Sequence, residues 1–358
     1  MARQHDRPVA DGKETLASQE PMVLSLARFQ YELQEAQQPP AMTDIGRGRR
    51  QRHALRPWYM LLGPPGSGKT ALVSSLAQDV PPAQTPDAGG RAYAWCWFST
   101  AGMLDLSGRF ALATPGSPEQ VTWLQILQAL REARPSPRQP LHGVLLTLAA
   151  DTLATASPAA LQAESALLHQ RLRDIEGAFG QSVPVYVLVT RWDRIEGFGE
   201  FFSALPVHTR QQVFGWRQDD PQTRRRRQQR PWSTPAYTDI GAMLSHRLEQ
   251  LRAFILNTAA ASSTPRQPIF NFPEECRALF HRLWTALESL GEAPDGLSSV
   301  WIRGVFFCSA RQQGQPVSLL RRQWDFPACA PLAAGSTEAY FLHDLLTVIL
   351  PREQHLFR

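Results

Sequence analysis

The sequence predicts an α/β protein: a doubly wound, mostly parallel sheet with a helical insertion subdomain. Three observations carry this expectation. Short apolar runs alternate with helical patterns from residue 57 to residue 190. A glycine-rich loop, "GPPGSGKT" at 63–70, joins the first apolar run to the helix that follows. After residue 193 the pattern turns helical, until a last apolar run at 300–308.

Residues 1–55 are polar and broken by Pro39, Pro40, Gly46 and Gly48, with one amphipathic helix expected over 22–35. "WYMLL" (58–62) is a buried strand by length and apolarity. "TALVSSLAQ" (70–78) continues as a helix that Pro81 and Pro82 stop. "AYAWCWF" (92–98) and "GMLDLSG" (102–108) flank a short turn and read as a hairpin. A helix is expected over 119–133. "GVLLTLAA" (143–150) is a continuous apolar run, as expected of a strand covered on both faces. A longer helix follows over 158–179, then the strand "VPVYVLVT" (183–190). Helices are expected at 198–215, 237–258 and 273–290, with a Pro/Arg/Gln-rich loop at 217–235 between the first two. "VWIRGVFFC" (300–308) returns to the sheet, most simply at its edge, and 338–350 closes the chain as a helix. The expected division is an N-terminal segment (1–55), a P-loop NTPase domain (56–194), a helical extension (195–299), and the final strand and closing helix (300–358).

Composition narrows the function. With 358 residues and 43% hydrophobic content the chain can bury a large core. Its four cysteines (Cys96, Cys276, Cys308, Cys329) are far apart and lack the spacing of a zinc site. The longest strongly apolar runs are eight residues, against roughly 20 for a membrane span, so a soluble, cytoplasmic chain is expected. The net charge of +5 is concentrated in "RGRRQR" (47–52) and "RRRRQQR" (224–230). The first run suits an anionic membrane surface. The second has no interleaved aromatics or reading module, so nucleic acid is not an expected partner.

"GPPGSGKT" fits G-x-x-x-x-G-K-[ST], and Lys69 is one of only two lysines in the chain. Backbone N–H groups of such a loop converge on phosphate oxygens at a helix start, and glycines let the backbone come close. Phosphate contacts are therefore expected from Gly63, Gly66, Ser67, Gly68, Lys69 and Thr70, with the Thr70 hydroxyl on Mg²⁺. Two aspartates end apolar runs and are candidates to hold that ion, Asp105 and Asp151. Asp105 is preferred because Gly108 completes D-x-x-G, whose glycine N–H reaches the γ-phosphate in GTPase-type sites. "TRWD" (190–193) and "CSA" (308–310) follow strands in the order of a GTPase's base-reading segments. Thr190, Arg191, Asp193, Ser309 and Ala310 are the expected base contacts, with a helix N-cap as the plainer reading of Asp193. The order of elements is that of a P-loop GTPase type, and the cofactors are Mg²⁺ with GTP or ATP. Arg109 stands where Ras-like enzymes place a water-orienting glutamine, so turnover is expected to be slow or absent.

"RPWYMLLGPPGSGKTALV", "MLDLSGRF", "LHGVLLTLAADTL", "VPVYVLVTRWDRIEGFGEFFSAL" and "IRGVFFCSARQQGQPV", in this order, resemble the cytoplasmic region of the TssM/IcmF family of type VI secretion inner-membrane proteins. The resemblance implies a GTPase-like nucleotide-binding region with a helical extension, placed at the inner-membrane face. It implies an assembly switch or scaffold, with a TssL/DotU-like inner-membrane protein and baseplate components as partners. Three positions depart from the family's pattern: Leu106 and Ser107 replace the middle of D-T-A-G, and Arg191 replaces the lysine of T-K-x-D. A piece of a membrane protein and a stand-alone homologue both fit the resemblance.

Overall fold

The computed structural model describes residues 26–37, 57–76, 91–98, 101–133, 141–218, 234–258, 265–291, 300–324, 326–327 and 338–353. Both arginine runs, at 47–52 and 224–230, and the membrane-surface expectation resting on the first, lie outside them.

Seven strands make one sheet: β1 (Trp58–Leu62), β2 (Tyr93–Trp97), β3 (Gly102–Leu106), β4 (Gly143–Ala149), β5 (Val185–Thr190), β6 (Phe214–Arg217) and β7 (Ile302–Phe307). Their order is β2-β3-β1-β4-β5-β7-β6. The five inner strands run parallel, and β2 and β6 lie antiparallel on the two edges. The fold is thus mixed α/β with a mostly parallel sheet, as the alternation predicts. The hairpin is also present, with Tyr93 opposite Leu106 and Trp97 opposite Gly102.

Alternation along each inner strand divides the core in two. Trp58, Met60 and Leu62 of β1, Val144, Leu146 and Leu148 of β4, and Val185, Val187 and Val189 of β5 face one layer. Helices α1 (Leu26–Gln37), α4 (Pro118–Ala133) and α6 (Pro158–Phe179) cover it, with α9 (Thr234–Thr258) and α10 (Arg266–Gly291) beyond. Tyr59, Leu61, Leu145, Tyr186 and Leu188 face the other layer. There they meet α2 (Lys69–Leu76) and the closing segment, a π-turn over Leu345–Ile349 that runs into α12 (Leu350–Glu353). Local signals agree with this packing. Ser157 caps α6 by accepting from Ala160 N, Pro158 follows it, and Gly180 ends the helix at φ 66°.

Four expectations change. The helix expected over 198–215 is two short helices, α7 (Phe198–Phe202) and α8 (Val207–Gln211), followed by strand β6. Consequently β7 is not the edge: it lies between β5 and β6, and the segment 195–299 contributes a strand to the main sheet. The helix expected from 273 begins at Arg266 and runs through Pro273. Residues 338–342 are not helical; Tyr340 instead bridges Ser309.

Parallel strands put all their carboxyl ends along one edge. Neighbours β1 and β4 send their connections in opposite directions, to β3 and to β5, and the helices after them, α2 and α6, cover opposite faces. A crevice opens at such a switch point, and the loop after β1 sits there.

Candidate functional site

The loop Gly63–Gly68 leaves β1 and turns into α2. Gly66 and Gly68 hold φ +72° and +84°, where side chains are strained. A Cβ on Gly63 would collide with the Thr147 hydroxyl. Lys69 is 4% exposed, and its ammonium donates to the carbonyls of Gly63 (2.8 Å) and Pro64 (3.0 Å). The charge therefore lies on the loop itself. Thr70 is half-buried in the first turn of α2.

Ser67 and Thr190 both hydrogen-bond within the protein. The Ser67 hydroxyl shares a hydrogen bond with Thr147 Oγ1 (2.7 Å), and its N–H turns back to Pro64 O (3.2 Å). The Thr190 hydroxyl donates to Ser67 O (2.5 Å) and Leu148 O (3.3 Å). Both side chains brace the loop from beneath. Thr147, which the sequence reading missed, supports Ser67 from β4 and donates to Leu62 O (3.3 Å). Its signal is a lone hydroxyl in an otherwise apolar strand.

Asp105 is 2% exposed and pairs in register with Leu61, two residues before the loop. Strand alternation puts it on the side of Met103, which packs with Leu72 and Val73 of α2. The carboxylate is therefore on the face that carries Thr70. Gly108 opens the one-turn α3 (Gly108–Ala111) and touches the loop directly: a Cβ there would lie 2.5 Å from Pro65 N. Asp151 is elsewhere, at the start of α5 (Ala150–Thr155), ion-paired to Arg191 (3.2 Å) and Arg194 (2.6 Å).

The residues expected to contact a base gather around one cavity of about 80 Å³, lined by Gly68, Leu72, Arg191, Asp193, Ala310 and Gln313 among others. Asp193 is 3% exposed and accepts from Ser309 Oγ (2.7 Å) and Gln313 N (3.4 Å). Burial pushes its pKa up, and those two hydrogen bonds offset the shift in part. Cys308 beside it is pushed to about 12, by burial first and the Asp193 charge second. Asp193 belongs to a one-turn 3₁₀ helix, Trp192–Arg194, and its side chain reaches across to the Ser309 turn rather than capping a helix. Arg191 stands in the left-handed region at φ 54°. Trp192 next to it is fully buried, its ring 4.9 Å from Phe214, 5.1 Å from Phe307 and 5.7 Å from Phe272. That aromatic hub fixes the Trp192–Arg194 turn and ties it to β6 and α10. The sequence reading passed over Trp192, although a tryptophan between two polar residues after a strand was a visible sign of burial.

Comparison with known proteins places these features. Residues 117–358 match the family model described as the IcmF-related N-terminal domain. That match includes Thr190–Asp193 and Ser309–Ala310 and starts after the phosphate loop. The chain is 28% identical over 309 residues to the type VI secretion system component TssM1 of Pseudomonas aeruginosa, an alignment covering 82% of this chain and 27% of that protein. It thus spans about a quarter of the length of this curated relative. Solved structures overlap weakly. The signal recognition particle receptor SRb-GDP from Chaetomium thermophilum is 19% identical over 61% of this chain and 86% of its own, at TM-score 0.26. The SRb-GTP/SRX complex from the same organism is 22% identical over 39% and 72%, at TM-score 0.24. These overlaps are too slight to define a fold. The family match spans well over half of the sequence, and the chain belongs to the TssM/IcmF family, whose IcmF-related N-terminal domain it carries.

Proposed function

We propose that the chain binds a Mg²⁺-chelated nucleoside triphosphate, GTP or ATP, on the loop Gly63–Thr70. In this reading it is the nucleotide-binding part of a type VI secretion membrane complex. The observation that carries it is convergence. The loop, Asp105, Gly108, the Thr190–Asp193 turn and the Ser309–Ala310 turn come from four strand ends, those of β1, β3, β5 and β7, and meet at one crevice. A P-loop GTPase type is supported by the strand order around β1 and by the antiparallel hairpin before β3.

Lys69, the N–H groups at the start of α2, Gly66 and Gly68 would hold the phosphates, and Thr70 and Asp105 the metal. Ser67, Thr147 and Thr190 keep the loop in shape. Asp193, Ser309, Ala310 and Arg191 would hold the base; the cavity there suits one ring system, being far below the roughly 300–1,000 Å³ of pockets that enclose a whole ligand. When bound, the nucleotide supplies a phosphoryl anhydride whose charge the metal and Lys69 offset.

In the cell, we place the domain at the cytoplasmic face of the inner membrane, as an assembly switch or scaffold facing the baseplate beside a TssL/DotU-like protein. A second reading, nucleotide held with little or no hydrolysis, is favoured by one observation. Arg109, the residue after Gly108, is exposed and presents no water-orienting amide. Titration of the protein with Mg²⁺-GTP and Mg²⁺-ATP tests binding. Lys69→Ala should weaken it about 10- to 100-fold, the loss of charge-assisted hydrogen bonds. Phosphate release then separates switch from scaffold. Equal binding by wild type and Lys69→Ala would refute the site.

A further inference from the structure

Asp151 was a candidate metal ligand by sequence, and the structure places it beside the base-side cavity instead. Its Oδ1 accepts from Thr152 N (3.0 Å), which orients the carboxylate in the first turn of α5. Its Oδ2 takes two guanidiniums, Arg191 Nη1 at 3.2 Å and Arg194 Nη1 at 2.6 Å. The carboxylate is 14% exposed, so the pairs are only partly screened.

Each arginine shapes one wall of the cavity. Arg191 lies along the phosphate loop: its Cγ is 3.7 Å from a Cβ built on Gly68, and its Nη2 is 3.8 Å from one built on Gly66. Arg194 reaches the other way. Its Nε donates to Gln313 O (3.3 Å), and Gly314, at φ +106°, packs against its guanidinium. Gln313 in turn gives its N–H to Asp193 Oδ2. A single carboxylate at the end of β4 thus connects the loop wall to the Ser309–Gly314 wall. Without its charge, two like-charged guanidiniums would share the same space, and Arg191 would regain the freedom of a long side chain.

We propose that Asp151 is the positioning residue of this cavity, holding Arg191 flat along the phosphate loop as the wall on which a purine ring stacks. The inference rests on the nucleotide reading above. It also accounts for arginine at 191: a lysine offers a stem but no plane, and one ammonium does not reproduce the fork that grips Asp151 while facing a ring.

The test is calorimetric titration with three probes, each with Mg²⁺: GTP, ATP and inorganic tripolyphosphate. Asp151→Asn should weaken the preferred nucleotide about tenfold and leave tripolyphosphate unchanged, because the loop itself is intact. Asp151→Glu should recover most of the loss. Arg191→Ala should repeat the nucleotide-selective loss and serves if Asp151→Asn does not fold. Lys69→Ala should weaken all probes. The proposal fails if Asp151→Asn binds nucleotide like wild type, if it loses nucleotide and tripolyphosphate in equal measure, or if glutamate gives no rescue. Wild type with no Lys69-dependent binding of any probe would overturn the nucleotide reading, and this inference with it. Lys69-dependent binding that ignores Asp151 and Arg191 would overturn the inference alone.

Discussion

At Thr147 a single hydroxyl braces both ends of the loop Gly63–Ser67. It donates to Leu62 O (3.3 Å), meets Ser67, and occupies the space where a side chain at 63 would go. Gly63→Ala should therefore cost about 1–3 kcal/mol, the usual penalty of overpacking, measured by urea denaturation; an unchanged midpoint would show that the loop moves aside. Asp193 makes a pH-dependent prediction. Its pKa is raised in the fold, mainly by burial. Between the unfolded and folded values the native state binds more protons, so its contribution to stability is complete below the unfolded value and is lost as pH rises through the folded one. Asp193→Asn should melt higher than wild type near neutral pH, and the gap should close as pH falls toward the ordinary carboxylate range. A gap independent of pH would mean that the carboxylate is not held against its ionisation. Lys69 and the glycines were legible in the sequence because adjacent residues define their geometry. Thr147, Trp192 and the ion pairs of Asp151 were not, because their partners are distant: Thr147 meets Ser67 and Leu62, and Asp151 meets Arg191 and Arg194. Only the fold brings these together.

Among the elements, β6 shows why a strand can hide. It has four residues, Phe214–Arg217, one of them glycine, and its alternation, Phe214 and Trp216, is too short to set it apart from the helices before it. Its strand character comes from pairing with β7, Phe214 opposite Phe307 and Arg217 opposite Gly304. The long helices and inner strands were legible because their periodicity is carried by many residues. The closing element is held by a different device. Glu353, 3% exposed, takes two hydrogen bonds from Arg303 (2.6 and 2.9 Å) and one from Tyr186 OH (2.9 Å). Tyr59 OH reaches Leu350 O (2.9 Å). Glu353→Ala strands a buried guanidinium and should cost about 3–5 kcal/mol. Replacing both partners with apolar residues, Arg303→Met with Glu353→Leu, should recover most of that loss in the same denaturation experiment. If the single variant is neutral, the pair does not anchor the segment.

For the molecule as a whole, the proposed ligand and the fold share one free energy. Nucleotide at about 100 times its Kd should add about 2.7 kcal/mol to unfolding, seen as a higher melting temperature in wild type and absent from Lys69→Ala. A matching rise in the variant would place the binding elsewhere. The mostly parallel sheet was legible from alternating runs, whereas the final position of β7 depended on β6 and so was not. The buried pair at Glu353 has a mechanical consequence. It grips β5 and β7 near their starts, at Tyr186 and Arg303, while Asp193 and Ser309 follow the far ends of the same two strands. Tension applied to the chain just past Glu353 would thus enter the sheet along the strand axes and load neighbouring hydrogen bonds in shear, all together rather than one by one. Force-spectroscopy pulling from that point should meet a high rupture force that Glu353→Ala lowers.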